Sequence, residues 1–261
     1  MNRRAFLTAT GVAGVMSGIN LLGAETAGKP GKRDFYELRQ YHVVSQSQKD
    51  KLLAHMKNAE IPALNRAGVK PVGLFVPAAE FGPIFVLMRH NNLQSMLNCT
   101  SKLIADQEYQ EKGADFINAP AESPAYQRVE STLMASFKGM PRIETPTDAP
   151  GRVFQLRIYE SPSVKTGQKK IEMFNDAGEI AIFRRVGLNP VFFGESLIGG
   201  RIPNLTYMLG FENEEAMNAG WKKFGSDPDW KKLRTMEEYA DKKILCGITN
   251  IVLKPADGSQ I

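Results

Sequence analysis

One short motif occurs twice in this chain and constrains its fold more than any other feature. Leu-Arg-x-Tyr occupies residues 38–41 and returns at residues 156–159. The agreement continues downstream, where residues 60–72 align with residues 179–191 without a gap. The offset between the copies then grows by a single residue at successive loops, which is typical of a duplicated domain with small loop insertions.

Each copy shows the same order of secondary-structure signals. An alternating strand comes first, at residues 35–43 and 153–160, and a helix of apolar period near 3.6 follows it. Gly68 and Gly187 end these helices as left-handed caps. A hairpin, a second helix that opens at Asn91-Asn92 or at Asn213 as N-cap, and a last strand complete each copy. The order βαββαβ predicts an α+β fold of tandem ferredoxin-like domains.

The copies have predictable limits. We expect a first, divergent domain at residues 34–138, a proline-containing linker at residues 139–151 and a second domain at residues 152–255. Residues 1–24 resemble a twin-arginine signal peptide, because Arg3 and Arg4 precede a weakly apolar, glycine-rich stretch. This predicts a periplasmic or secreted protein. The alternative is an uncleaved membrane anchor.

The charge composition argues against nucleic acid as a partner. The formal charge is +5, and two of those charges are Arg3 and Arg4 in the predicted signal. So mild a charge, without a basic run that contains aromatic residues, predicts no nucleic-acid binding. Cys99 and Cys246 lie in different copies, and we expect two unpaired, buried thiols; the alternative is a disulfide that joins the copies.

Alternation divides the side chains of each first strand between two sheet faces. In the second copy Phe154, Leu156 and Ile158 share one face, whereas Arg157 and Tyr159 share the other. We expect the wholly apolar set to meet the helices. The mixed set is then predicted to face whatever covers the other side of the sheet.

A half-apolar sheet face is unfavourable in water, and the second copy can cover that of the first. We therefore expect the two sheets to pack face to face as one pseudo-symmetric barrel. The alternative is that each half pairs with a neighbouring chain in a homo-oligomer. The predicted barrel interior contains charged and aromatic candidates for ligand binding: Glu37, Arg39, Tyr41, Arg157, Tyr159, Phe193, Glu195 and Tyr207.

Two interpretations of the buried arginines stay open. Buried guanidinium groups need partners. Pairs of Arg39 with Glu37 and of Arg157 with Glu195 would make the arginines structural. Without those pairs, the cavity suits a small anionic or aromatic ligand.

Several motifs make the chain resemble the NIPSNAP family. They are the repeated strand motif, the glutamate, glycine and proline around the end of the first helix, and a run near the second helix of copy two: Trp221, Phe224, Asp227, Pro228 and Trp230. The resemblance is good over residues 152–255 and weaker over residues 34–137. It implies ferredoxin-like domains of the dimeric α/β-barrel class. That class includes cofactor-free monooxygenases, haem-dependent enzymes and ligand binders, so the resemblance implies no single activity.

Few side chains suit catalysis. His42 and His90 end strands that we expect to be parallel neighbours, so they could share an edge and hold haem or a metal; two surface histidines are the alternative. His55 is predicted to be solvated, and Trp221, Phe224 and Trp230 are predicted to be core. No phosphate loop, nucleophile elbow or cysteine-pair motif is present. The sequence therefore predicts no cofactor and no metal.

Three hypotheses of function follow. The first is a non-catalytic exported protein that binds a small ligand or serves in assembly. The second is a cofactor-free or haem-dependent monooxygenase-like enzyme, suggested by the arginines and tyrosines of the predicted cavity. The third is an oligomerisation module whose barrel is filled by its own side chains. Contact with a membrane is expected only through an uncleaved signal.

Overall fold

The computed structural model describes residues 33–79 and 81–261, so the predicted signal peptide lies outside the described residues. The first half of the barrel, residues 33–138, begins with β1 and a helix in three parts. Its elements are β1 (Phe35–His42), α1 (Gln46–His55), a π-helical segment (Met56–Glu60), α2 (Ile61–Arg66), β2 (Val72–Pro77), β3 (Ile84–His90), α3 (Leu93–Leu97), α4 (Cys99–Ala105), α5 (Gln107–Lys112), α6 (Ala114–Ile117) and β4 (Arg128–Ser136).

The second half, residues 152–261, repeats this order with longer second helices. Its elements are β5 (Val153–Glu160), α7 (Val164–Asn175), α8 (Glu179–Val186), β6 (Asn189–Ile198), β7 (Asn204–Phe211), α9 (Glu214–Ser226), α10 (Pro228–Thr235), a 3₁₀ turn (Glu237–Tyr239), α11 (Asp241–Ile244) and β8 (Gly247–Pro255). Within the described ranges, no helix combines the length and hydrophobicity that a membrane span needs.

The eight strands form one closed antiparallel barrel in the order β1-β3-β2-β8-β5-β7-β6-β4. Each half contributes four neighbouring strands, and the halves join where β2 pairs with β8 and β4 pairs with β6. A closed barrel leaves no edge strand with unpaired backbone groups. The fold is therefore a mixed α/β barrel with helices on its outside.

Local signals place the helices as expected. Asn92 and Asn213 have extended backbone, and the side-chain oxygen of each accepts a hydrogen bond from the backbone N–H three residues on. Gly68 and Gly187 adopt φ values of +89° and +86°, the left-handed region that favours glycine. The predicted N-caps and helix ends are confirmed.

The sheet faces are the reverse of those predicted. The barrel interior holds the apolar alternation set, including Leu38, Phe154 and Leu156 in one cluster with Tyr36 and Leu253. The arginines and tyrosines lie on the outer face beneath the helices. The arginines lie on the outer face because their guanidinium groups need charged or aromatic partners. Closely spaced strands surround the interior, whereas an arginine under a helix can reach carboxylates and aromatic rings of that helix layer.

One end of the barrel is plugged. Ile143 from the linker and Ile261 both pack into the interior cluster. Asp34, just before β1, accepts from Arg142 of the linker at 3.0 Å and from Arg89 at 2.8 Å. The linker therefore covers the end at which β1 and β5 begin.

Candidate functional site

The predicted site residues lie on the outer face of the barrel, between the sheet and the helices, so their predicted place in the barrel interior is wrong. They divide into one group in each half. The first group is Glu37, Arg39 and Tyr41, and the second is Arg157, Tyr159, Phe193, Glu195 and Tyr207. These groups do not face each other, because the apolar interior of the barrel separates them.

In the first half, Arg39 lies between two buried carboxylates. Its Nε donates to Glu37 Oε1 at 2.6 Å, and an Nη donates to Glu60 Oε1 at 3.4 Å. Each glutamate side chain is 6% exposed. The predicted pair of Arg39 and Glu37 is confirmed, and Glu60 is a second partner that the sequence did not indicate.

A histidine extends this group at each end. His55 Nε2 lies 3.2 Å from Glu60 Oε2, and His90 Nε2 lies 3.6 Å from Glu37 Oε2. The resulting His-Glu-Arg-Glu-His chain runs beneath the helices. Burial opposes ionisation of Glu37, but the contacts with His90 and Arg39 outweigh it and lower the pKa of Glu37 to about 2. Glu37 is therefore an anion held by its neighbours.

The π-helical segment explains how His55 meets Glu60. The two residues are five apart, and in a regular α-helix they would point in different directions. A π turn bonds residue i to residue i+5, so it brings these two side chains onto one face. The backbone N–H of Ile61 accordingly donates to Met56 O across this segment. π turns are rare and occur frequently at functional sites.

His55 also lies in the wall of a cavity of about 680 Å³. The cavity is bounded by α1, by the region of α5 and α6, and by the loop at residues 119–125. The His55 ring stacks on Phe116 with 4.1 Å between ring centroids. Its Nδ1 is buried and has no hydrogen-bond partner among the described residues.

Gly113 preserves the space beside this nitrogen. A Cβ at residue 113 would lie 3.0 Å from Cε1 and 3.4 Å from Nδ1 of His55. It would also lie 2.7 Å from the backbone oxygen of Tyr109, closer than real Cβ contacts. Glycine therefore leaves open the edge of the imidazole that carries the unpaired nitrogen, and Gly113 itself lines the cavity.

The second half holds its arginine differently. The Arg157 guanidinium lies 4.7 Å from the Trp221 ring centre and 5.4 Å from that of Tyr159. Its Nε has no hydrogen-bond partner within the described part of the chain. Glu195 accepts a hydrogen bond from Gln168 at 2.5 Å, so the predicted pair of Glu195 with Arg157 is wrong.

Aromatic packing fills the rest of the second group. The hydroxyls of Tyr159 and Tyr207 lie 2.9 Å apart, and Phe193 stacks on Tyr207. Beside them, the fully buried Lys170 lies 3.5 Å from Glu179. Burial raises the pKa of Glu179 to about 7. This region is a packed core with one buried ion pair.

Two predictions about histidines are wrong. Strands β1 and β3 are antiparallel and Phe35 faces His90, so His42 and His90 lie at opposite ends of their strands and cannot share haem or a metal. His55, predicted to be solvated, is 6% exposed. Over residues 33–79 and 81–261, no group of three His, Cys, Asp or Glu side chains is arranged to hold a metal.

A sequence signal for the missed residues existed. His55 and Glu60 follow the core residues Leu52 and Met56 by three and four positions, a spacing that places them on the buried helix face. Trp221 and Trp230 pack against the buried Phe224, which confirms the predicted aromatic core. Cys99 is buried, but Cys246 is exposed, contrary to the prediction of two buried thiols.

Comparison with known proteins identifies part of the chain. Residues 154–260 match the NIPSNAP family, so the second half carries a NIPSNAP domain. A NIPSNAP family protein from Agrobacterium tumefaciens is 20% identical over 42% of this chain and 98% of its own, with a TM-score of 0.38. Among curated proteins, none matches this chain.

Two solved structures resemble nearly the whole barrel. Both are provisionally named monooxygenases. The one from Fusobacterium nucleatum is 8% identical over 87% of this chain and 94% of its own, with a TM-score of 0.60. The one from Lactobacillus acidophilus is 10% identical over 86% and 94%, with a TM-score of 0.57. At such identities these matches show a shared fold and nothing about chemistry.

Proposed function

We propose that this protein binds a small hydroxylated aromatic compound in the cavity of its first half, where His55 receives the hydroxyl of the ligand. One observation carries the proposal: the buried pair of His55 and Glu60 leaves Nδ1 unpaired at the wall of a cavity of about 680 Å³. That volume is within the range of ordinary ligand sites.

The pairing sets the chemistry of the imidazole. In the neutral tautomer that carries its hydrogen on Nε2, that N–H donates a hydrogen bond to the Glu60 carboxylate, and Nδ1 is left as an acceptor. A buried acceptor without a partner costs about 1–3 kcal/mol. A ligand hydroxyl that donates to Nδ1 removes this cost. Because α6, which carries Phe116, has only four residues, a small movement of that turn admits the ligand.

The cavity wall favours a neutral aromatic ligand over an anionic one. Phe116 offers a ring for stacking, and Gly113 leaves room beside the imidazole. The charged residues of the wall balance, because two are basic and two are acidic: Lys51, Lys112, Asp115 and Glu122. The anionic alternative drawn from the sequence has no such support.

The proposal includes the setting of the site. We propose two tandem ferredoxin-like halves of the dimeric α/β-barrel class, in which the ligand site lies under the helices of the first half. We also propose export through the twin-arginine route. The predicted signal at residues 1–24 supports that part of the proposal.

The experiment uses two coloured probes that differ in one group. 4-Nitrophenol carries a hydroxyl, and 4-nitroanisole replaces it with a methoxy group. At a pH at which free 4-nitrophenol is neutral, we expect 4-nitrophenol to bind more tightly than 4-nitroanisole, with an absorption shift towards the phenolate where His55 draws on its proton. His55→Gln should remove the preference, whereas His42→Gln should keep it. Equal binding of both probes, or a preference that survives in His55→Gln, would contradict the proposal.

A second candidate function is oxidation of such a ligand. The carboxylate-supported imidazole is the arrangement of a general base, which can take a phenolic proton and make the ring electron-rich. Two structural neighbours are provisionally named monooxygenases, and a third is called anthrone oxidase-like. Oxygen uptake with phenols or anthrone that is lost in His55→Gln and retained in His42→Gln would support an enzyme. Binding without oxygen uptake would leave the non-catalytic function.

A further inference from the structure

The interior of the barrel changes character along its axis. At the plugged end it is filled by aromatic and aliphatic side chains. At the opposite end, where β1 and β5 finish, lies a cavity of about 500 Å³, which we call the barrel mouth. Its lining comes from both halves and includes Gln40, Thr132, Ile158, Thr206 and Ile251. The barrel is therefore not filled along its whole length.

The two halves contribute different side chains to corresponding positions of the barrel mouth. Leu38 and Leu156 occupy matching positions in β1 and β5, so Gln40 corresponds to Ile158. Thr132, opposite Leu38, corresponds in the same way to Ile251, opposite Leu156. At both pairs of positions, a polar side chain of the first half corresponds to an isoleucine of the second half.

Thr132 and Gln40 lie on the neighbouring strands β4 and β1, and Ile158 and Ile251 lie on β5 and β8, which are neighbours on the far side of the barrel. Ile158 pairs with Thr206 of β7 and with Thr249 of β8, which also line the cavity. The barrel mouth therefore has a polar wall, formed by Thr132 and Gln40, that faces an apolar pair bordered by two threonines.

The rim of the barrel mouth is held in place by the turn between β6 and β7. Asn204 donates to the backbone oxygens of Gly200 and Arg201 at 3.2 and 3.1 Å. Arg201 has a φ of +59°, which is unfavourable for a residue with a side chain. At Gly199, with a φ of +148°, a Cβ would lie 2.7 Å from the Thr132 hydroxyl. The turn therefore packs directly against the polar wall.

The charges at the rim are already neutralised within the protein. Glu130 pairs with Arg128 at 2.8 Å, and Arg201 contacts Glu160 at 3.3 Å and the Thr249 hydroxyl at 3.4 Å. A charged ligand would have to break these pairs. The hydroxyl of Thr132 and the amide of Gln40 have no such partners among the described side chains and can serve a neutral ligand.

The geometry points to a second binding site, at the barrel mouth, for a neutral polyhydroxylated ring of the monosaccharide class. Such a ring has hydroxyls around its edge and an apolar C–H face. Its hydroxyls would pair with Thr132 and Gln40, and its C–H face would lie on Ile158 and Ile251. The site is on the other side of the sheet from His55, so it is independent of the function proposed above.

The test titrates a panel of neutral monosaccharides and disaccharides into the protein, with ligand-observed NMR for screening and calorimetry for affinity. At least one sugar should bind the wild type. Thr132→Val keeps the volume of the side chain and removes one hydrogen bond, so it should weaken binding roughly fivefold to tenfold. Gln40→Leu should weaken binding by a similar factor. It provides the test of the site where Thr132→Val does not fold.

Two variants serve as controls. Thr235→Val changes an exposed threonine on α10, and His55→Gln changes the other proposed site; both should bind the sugar as the wild type does. The proposal is overturned where no sugar binds at millimolar concentration, or where Thr132→Val and Gln40→Leu both bind as tightly as the wild type. Weaker binding in those two variants, with unchanged controls, establishes the site.

Discussion

The two halves of the barrel hold corresponding arginines in opposite ways. Arg39 lies between two buried carboxylates, whereas Arg157 stacks on Trp221 and forms no ion pair with a described residue. The strand motif that carries both arginines is the same. Duplication therefore preserved the position of the cation while its surroundings diverged from a charge network to an aromatic core.

The positions around the arginines show where the divergence lies. Glu37 corresponds to Gln155, His55 to Met173, and His90 to Phe211. Gln155 accepts a hydrogen bond from Trp221 Nε1 at 2.6 Å. The two histidines that end the His-Glu-Arg-Glu-His chain of the first half are thus replaced by neutral side chains in the second half, and so is Glu37. The second half therefore holds its arginine without the histidines that extend the network around Arg39.

One kind of ion pair is the same in both halves. Arg66 binds Asp106 and Arg185 binds Asp227 through the same bidentate contact. Each aspartate is also the N-cap of the next helix. These arginines lie in the last turn of their helices, and they fasten that end to the following helix. These pairs are therefore part of the framework that both halves share.

The largest difference in stability between matched variants of the two halves should come from replacing each arginine. Arg39→Met leaves Glu37 and Glu60 buried without their cation and should destabilise the protein by about 3–5 kcal/mol. Arg157→Met loses mainly stacking and should cost about 1–2 kcal/mol. Urea unfolding of both variants measures the difference. Equal losses would mean that the two halves hold their arginines by the same means.

The pH dependence of Glu37 should follow from its lowered pKa. Its folded pKa is about 2, below the ordinary value of 4.5, so the stabilisation is complete above pH 4.5 and is lost as the pH falls towards 2. The shift corresponds to about 3 kcal/mol. The stability advantage of wild type over Glu37→Gln should shrink across this window in urea titrations. A constant difference would refute the charge network.

The contribution of Glu179, in the second half, to stability should change with pH in the opposite direction. Its folded pKa is raised by burial to about 7, so its contribution is complete below pH 4.5 and is lost as the pH rises through 7. The stability of wild type relative to Glu179→Gln should therefore fall between pH 5 and pH 8, by up to about 3 kcal/mol. Thermal unfolding across this range checks the sign. A rise would show that the pair with Lys170 outweighs burial.

The smallest effect should come from the indole that covers Arg157. Trp221→Phe removes the hydrogen bond to Gln155 and weakens the stacking, which should cost about 1–2 kcal/mol. Trp230→Phe is the matched control, because Trp230 packs on Phe224 away from the arginine. Urea unfolding should place Trp221→Phe as the less stable of the two. The reverse order would show that stacking on Arg157 contributes little.

Much of the local structure could be predicted because its causes are local. Asn92 and Asn213 cap helices through their own side chains, and Gly68 and Gly187 end helices through their own backbone freedom. The pair of Arg39 with Glu37 was also predictable, since alternate residues of a strand share a face. The contact of His55 with Glu60 was not, because it depends on a π turn that no residue pattern announces.

The sequence by itself determined the duplication, the order of strands and helices, and the division of each strand into an apolar and a mixed set. Only the tertiary structure decided which set faces inward. Alternation is symmetric, so it separates two faces without saying which is enclosed. Closing eight strands into a barrel made the interior the place with fewest polar partners, and the helices outside supplied the carboxylates and rings that Arg39 and Arg157 require.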